Sequence, residues 1–160
     1  MDKLPRPVAS SPFRVLSPIH QANRQASICI DTLLADLALS AQDGQLLAFV
    51  AARDGVPVTA IVRLLGVSKS TVTSILQRLE DSGMIRREEN PEDARSALLF
   101  ATSKGRRLGV AARDRVLQLE KRIAKRVSEP DLRALARIVE AVSIETGIDL
   151  TAEAPRKRDL

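Results

Sequence analysis

Apolar positions recur at helical spacing in successive stretches of the chain, and the polar breaks between them mark out the elements. From Ile19 to Ser40, Ala26, Ile30, Leu33, Leu34 and Leu37, continued at Ala41, keep a helical period and predict one amphipathic helix. Asp43-Gly44 reads as an interruption, after which a second helix runs from about Gln45 to Arg53 and stops at Asp54-Gly55. Val56-Pro57 then opens a short helix, because proline is well accommodated in a first turn. Val58, Ile61, Val62 and Leu65 line its buried side, and Gly66 ends it. Another helix starts a few residues later, so a tight glycine-containing turn joins the pair, the signature of a helix-turn-helix.

That next helix, VSKSTVTSILQRLE from Val67 to Glu80, has an unusual composition. Ser68 is a natural N-cap, and Val67 and Val72 occupy the two positions of a hydrophobic staple. Val72, Ile75, Leu76 and Leu79 fall at i, i+3, i+4 and i+7 and form one apolar stripe. The opposite face carries Lys69, Ser70, Thr73, Ser74 and Gln77, with Arg78 at its edge and no carboxylate before Glu80. An ordinary solvated face would carry Glu and Lys pairs. Short hydroxyl and amide side chains instead let a helix approach a major groove closely and exchange hydrogen bonds with base edges and phosphates.

Ser82-Gly83 ends this helix. The strand-like MIRREE from Met84 to Glu89, the turn-rich NPEDARS and the strand-like ALLFAT from Ala97 to Thr102 predict a β-hairpin, the wing of a winged helix. Its tip places Arg95 beside Asp93, a local partner expected to orient the cation toward a minor groove. Arg86 and Arg87 are successive strand residues, so they point to opposite faces and at most one meets the duplex. From Gly105 a long helix carries Leu108, Ala112, Val116, Leu119, Ile123 and Val127 among many cations. Ser128 and Asp131 have capping-box spacing with Pro130 in the first turn, and Leu132, Leu135, Ile138, Val139 and Val142 continue a last amphipathic helix. A winged helix needs no such outer helices, so a twofold partner is the simplest place for their stripes.

Composition narrows the partners. The 160-residue chain is 44% hydrophobic and has three Phe but no Trp or Tyr, which argues against base stacking on single strands. A formal charge of +5 and a pI of about 10.0 suit a polyanion. The start MDKLPRPVASSPF lacks the apolar core of a secretory signal, and a cytoplasmic location is expected. Four of the eight prolines fall in the first 18 residues. The expected organisation is therefore a Pro-rich arm over 1–18, an N-terminal dimerisation helix over 19–43, a DNA-binding lobe over 44–103, C-terminal dimerisation helices over 104–149 and a basic tail over 150–160. The fold class is mostly α with a small β-wing.

The run from Val58 to Leu108 resembles the core of the MarR (multiple antibiotic resistance regulator) family of winged helix-turn-helix transcriptional regulators. The resemblance rests on Leu65-Gly66, STVT at Ser70 to Thr73, RLE at Arg78 to Glu80, Gly83, NPEDxR at Asn90 to Arg95 and T-x-K-G at Thr102 to Gly105. It implies a homodimer with a recognition helix in the major groove and a wing arginine in the adjacent minor groove. The DNA-facing residues it implies are Ser68, Lys69, Ser70, Thr71, Thr73, Ser74, Gln77, Arg78 and Arg95, with Asp93, Arg86 and Arg87 as wing support. It also implies a repressor on a palindromic operator, released by a small-molecule effector. Ala94 and Ala101 depart from the family pattern, and the absence of Tyr and Trp argues against a phenol-binding pocket.

Two single residues offer other chemistry. Cys29, the only cysteine, would make a thiol-based redox regulator if reactive; with Ile28 and Ile30 beside it and Asp31 nearby, a buried structural thiol is the favoured reading. His20 has no second ligand at metal spacing and reads as a cap or surface residue. No phosphate loop and no nucleophile-base-acid set is legible, so neither an enzyme nor a cofactor is expected. The remaining alternative is a winged helix that binds protein instead of DNA.

Overall fold

The computed structural model of this chain describes residues 12–91 and 97–147. Its helices are α1 (Leu16–Leu34), α2 (Ala41–Ala51), α3 (Val58–Leu65), α4 (Lys69–Asp81), α5 (Ser103–Ala124) and α6 (Glu129–Thr146). Its strands are β1 (Val56–Pro57), β2 (Ile85–Glu89) and β3 (Ala97–Ala101), in the order β1-β3-β2 with both pairings antiparallel. The fold is thus mostly α with a small sheet, as the periodicity predicts.

Four boundaries differ from the sequence expectation. The helix expected from Ile19 to Ser40 ends at Leu34 and is followed by a 3-10 turn over Ala35–Leu37, with Ala38 in the left-handed region. Residues 16–18 belong to α1 instead of the arm, because Pro18 falls in the first turn, where an N–H has no helical partner to lose. Asp43-Gly44 is not a break. Ser40 is the N-cap of α2, its hydroxyl accepting from the Asp43 N–H while the Asp43 carboxylate accepts from the Ser40 N–H, a complete capping box. Gly44 then sits inside the helix, where an added Cβ would fall 2.5 Å from Leu34 Cδ1. Fourth, Val56-Pro57 is a strand before it is a helix start. Val56 pairs with Leu99 and Pro57 with Leu98, so α3 enters directly from the sheet.

The core of the lobe is built by α2, α3, α4 and the sheet. Leu46, Leu47, Val50, Val56, Ile61, Val72, Leu76, Leu79 and Leu99 are almost wholly buried. The apolar stripe on α4 is the one the sequence predicts: Val72, Ile75, Leu76 and Leu79 are its buried residues. The first half of α5 closes over this lobe at backbone distance. A Cβ on Gly109 would lie 2.6 Å from the Leu47 carbonyl oxygen, and one on Gly105 would lie 1.8 Å from that of Met84. Thr102 caps α5 by accepting from the Gly105 N–H, and its own hydroxyl donates to the Gly83 carbonyl. The Lys104 ammonium donates to the Ser82 carbonyl at the end of α4. The T-x-K-G element is therefore the joint between the end of α4 and the start of α5.

Beyond that joint the helices run out from the lobe. α6 has no buried residue, although Ser128 and Asp131 form the predicted capping box. Leu117, Ile123, Val127, Leu132, Leu135, Ile138 and Val139 are exposed along α5 and α6, as are Leu16, Ile19 and Ile28 on α1. Among the described residues no single helix is long and apolar enough to cross a membrane.

Candidate nucleic-acid interface

The sequence of α4 dictates how its face is presented. Ser68 stands in extended backbone and its hydroxyl accepts from the Thr71 N–H at 3.2 Å. The same oxygen lies 2.8 Å from the hydroxyls of Ser70 and of Thr71, so the helix entrance is a cluster of three hydroxyls. One turn on, Thr73 donates to the Lys69 carbonyl and Ser74 to the Ser70 carbonyl. These back-bonds hold the hydroxyls against the helix and leave their lone pairs outward. Ser68, Lys69, Ser70, Thr71, Thr73, Ser74, Gln77 and Arg78 are all exposed, while the stripe behind them is buried. Thr73, Ser74, Gln77, Arg78, Asp81 and Ser82 line a shallow open concavity along the helix.

Two acidic partners on this face were not singled out from the sequence. The Gln77 amide donates to Asp81 Oδ1 at 2.8 Å, an i,i+4 pair on the outer surface. Arg78 pairs across the fold with Asp43 of α2 at 2.5 Å. Signals existed for both: Asp81 continues the 74, 77, 81 row, and Asp43 completes the S-x-x-D spacing after Ser40.

On the wing, Arg86 and Arg87 do point to opposite faces. Arg87 shares a face with Leu99 and its Nε donates to Glu80 Oε2 at 2.9 Å, tying β2 to α4. Arg86 pairs with Glu88 and lies over the Phe100 ring, 4.6 Å from its centroid. Both are therefore engaged with the protein itself. Asp93 and Arg95 lie outside the described residues, as do residues 1–11 of the arm and the tail from residue 148.

Between the lobe and the outer helices lies an open cleft of about 910 Å³. Ile30, Phe49, Leu65 and Leu117 give it an apolar wall, and Asn23 and Arg113 supply polar edges. Outside the cleft lining, an ion pair ties α5 to the end of the first helical segment: Arg115 of α5 donates to the Asp36 carboxylate and, at 3.0 Å, to the Leu33 carbonyl. The Arg115 guanidinium holds the Asp36 carboxyl below the usual carboxylate range, and its own pKa rises in return.

Cys29 departs from expectation. It is exposed on α1 in the single chain instead of buried, beside an exposed Ile28. His20 lies on the surface of the same helix. Among the described residues no cluster of three or more His, Cys, Asp or Glu side chains could hold a metal ion.

Comparison with known proteins converges on one family. Residues 39–96 match the model of the MarR family. Transcriptional regulator HosA of Escherichia coli O111:H- is 30% identical over 63 residues, 39% of this chain and 47% of that protein, so the chain spans about half the length of this relative. An S. aureus MepR-DNA complex superposes with a TM-score of 0.72 at 21% identity, covering 80% of this chain and 96% of the other. A mutant MarR from E. coli complexed with operator DNA gives 0.69 at 22% identity, covering 83% and 99%. At these identities the two structures establish the fold.

Proposed function

We propose that this chain, whose winged-helix lobe belongs to the MarR family, is a transcriptional regulator that binds a palindromic duplex operator as a homodimer and acts as a repressor. The observation that carries this reading is the α4 face: a capped, rigid helix backed by core, presenting hydroxyls, one amide and Lys69 outward with no apolar patch. Ser70, Ser74 and Gln77 are the side chains best suited to base edges, and Ser68, Lys69, Thr71 and Thr73 to phosphates and groove walls. Arg95 at the wing tip would reach the minor groove with Asp93 as its partner.

The dimer is supported by α6 and the far half of α5, where Leu117, Ile123, Leu132, Leu135, Ile138 and Val139 find no cover within one chain. A twofold pair reading B-form DNA sets its recognition helices about 34 Å apart. A small-molecule effector seated in the cleft between lobe and outer helices would alter that separation and release the operator. The MepR and MarR complexes with DNA named above favour the same reading by analogy of fold.

The deciding experiment is selection from a genomic fragment library across a salt series. A steep loss of affinity with salt together with an enriched palindrome is the expected result. Salt-independent absence of binding would overturn it in favour of a protein-interaction module. A second reading draws on the exposure of Cys29: a thiol-based redox regulator on the same scaffold. An oxidant response that survives Cys29→Ser unchanged would end that reading.

A further inference from the structure

The Arg78–Asp43 pair departs from every other charged contact around α4. Asp43 is buried, its side chain 6% exposed, yet it belongs to a different helix, 35 residues away in sequence. One of its oxygens, Oδ2, accepts from the Ser40 N–H at 3.0 Å and the Ser40 hydroxyl at 2.7 Å; the other, Oδ1, accepts from Arg78. Both oxygens are thus used, one to start α2 and one to hold α4. A carboxylate taken out of water and left without its cation is costly, so the pair fixes the distance between the two helices at this point.

Arg78 lies at the edge of the face that would meet DNA, and its side chain is 54% exposed. Exposure alone would make it a phosphate contact. Its charge, however, is offset by Asp43 at hydrogen-bond distance, and a neutral pair displaces few counterions from a phosphate backbone. Nor is the guanidinium free to turn outward, since moving it would strand the buried carboxylate. On the opposite side of α4 Glu80, a partly exposed carboxylate, pairs with Arg87 of β2. The recognition helix is therefore braced from two directions, by α2 through Arg78 and by β2 through Glu80.

We propose that Arg78 is a positioning residue for operator recognition, acting through Asp43 to set the seat of α4 on the lobe, and not a phosphate contact. The proposal rests on the regulator reading above. The chemistry of the two roles predicts different salt behaviour. A phosphate contact contributes about 0.9 to the slope of log affinity against log salt, and its removal lowers that slope. A positioning pair lowers affinity and leaves the slope in place.

The test measures the salt slope and the enriched sequence for the wild-type chain, Arg78→Gln, Asp43→Asn and the double variant, each checked for fold by circular dichroism and thermal melting. The expected result is a loss of about tenfold or more in operator affinity for either single variant, with an unchanged slope and a double variant no weaker than the weaker single. A shallower slope for Arg78→Gln, or tighter binding by Asp43→Asn as the Arg78 guanidinium is freed, would overturn the proposal. So would unchanged affinity in both. Should Asp43→Asn lose its fold, the slope of Arg78→Gln alone decides. Wild-type protein that binds no DNA overturns the regulator reading and this inference with it, whereas wild-type binding with an altered slope in Arg78→Gln overturns this inference alone.

Discussion

The lobe and the outer helices are made of similar sequence and solve their burial problem differently. Both are built from amphipathic helices with sound caps, Ser40 and Ser68 in the lobe and Ser128 outside it. In the lobe every stripe has a counterpart: α4 packs onto α3 and the sheet, and α5 presses onto α2 through Gly109. In the outer region the stripes are equally regular, but α6 buries no residue; its Leu135 remains 56% exposed. A well-formed amphipathic helix thus predicts that a face must be covered, and the close-approach glycines tell which faces the chain covers itself. Gly44, Gly105 and Gly109 all lie on lobe contacts, and α6 contains no glycine before its C-cap Gly147.

The comparison is broken most severely by closing one of those approaches. Gly105→Val should remove the joint between α4 and α5, because even a Cβ would lie 1.8 Å from the backbone oxygen of Met84, which cannot yield as a side-chain tip can. A loss of more than about 3 kcal/mol in chemical denaturation is expected, large enough to leave little folded lobe. Leu76→Ala probes the same core by removal. With 1% exposure at this position, the expected cost is about 2–5 kcal/mol by urea titration. If either variant melted like the wild type, the lobe would not be the self-sufficient unit described here.

Helix α4 is the most legible part of the chain, since cap, staple, stripe and polar face are all local and coincide within fourteen residues from Val67 to Glu80. The outer helices were legible for the same reason, and the Ser128-Asp131 box was read from its spacing. The identical spacing at Ser40-Asp43 went unread, because the glycine that follows it looks like a break; Gly44 is there for the approach of Leu34, which no local pattern reveals. β1 has two residues and therefore no period to detect. The Arg78–Asp43 and Arg87–Glu80 pairs join separate elements, so their partners emerge only once the helices are placed. The exposure of Cys29 is hidden by the same limit: flanking isoleucines indicate an apolar helix, and not which side of it the chain covers.

The comparison is sharpened from the other side by charging the uncovered stripes. If the proposed dimer is held through α6, Leu135→Asp combined with Ile138→Asp should make the chain sediment as a monomer at concentrations where the wild type sediments as a dimer, while the lobe retains its secondary structure. Surface changes of this type leave a lone chain within about 0.5 kcal/mol of its starting stability, so the effect should appear in mass and hardly in the lobe's own unfolding. Unchanged sedimentation would mean that α6 is not the interface, and the cover for its stripe would have to be sought elsewhere.

The smallest effect belongs to the seam where the two regions meet. Asp36 accepts from Arg115, which lowers its pKa in the folded chain relative to the unfolded one. A group with a depressed folded pKa adds stability at pH above its unfolded value, about 3.9 for aspartate, and loses it as pH falls through the folded value below that. Asp36→Asn should therefore be less stable than the wild type at neutral pH, and the gap in urea midpoint should close as pH drops below the ordinary aspartate range. The gap should be small and should shrink with added salt, because both partners reach solvent. Asp131, depressed by the Ser128 hydroxyl and N–H, titrates in the same direction, so the measurement must compare the variant with the wild type at each pH and not follow the wild type alone. A gap that held constant into acid would mean that Asp36 supports the seam through geometry, with its charge contributing nothing to how the lobe is joined to the helices outside it.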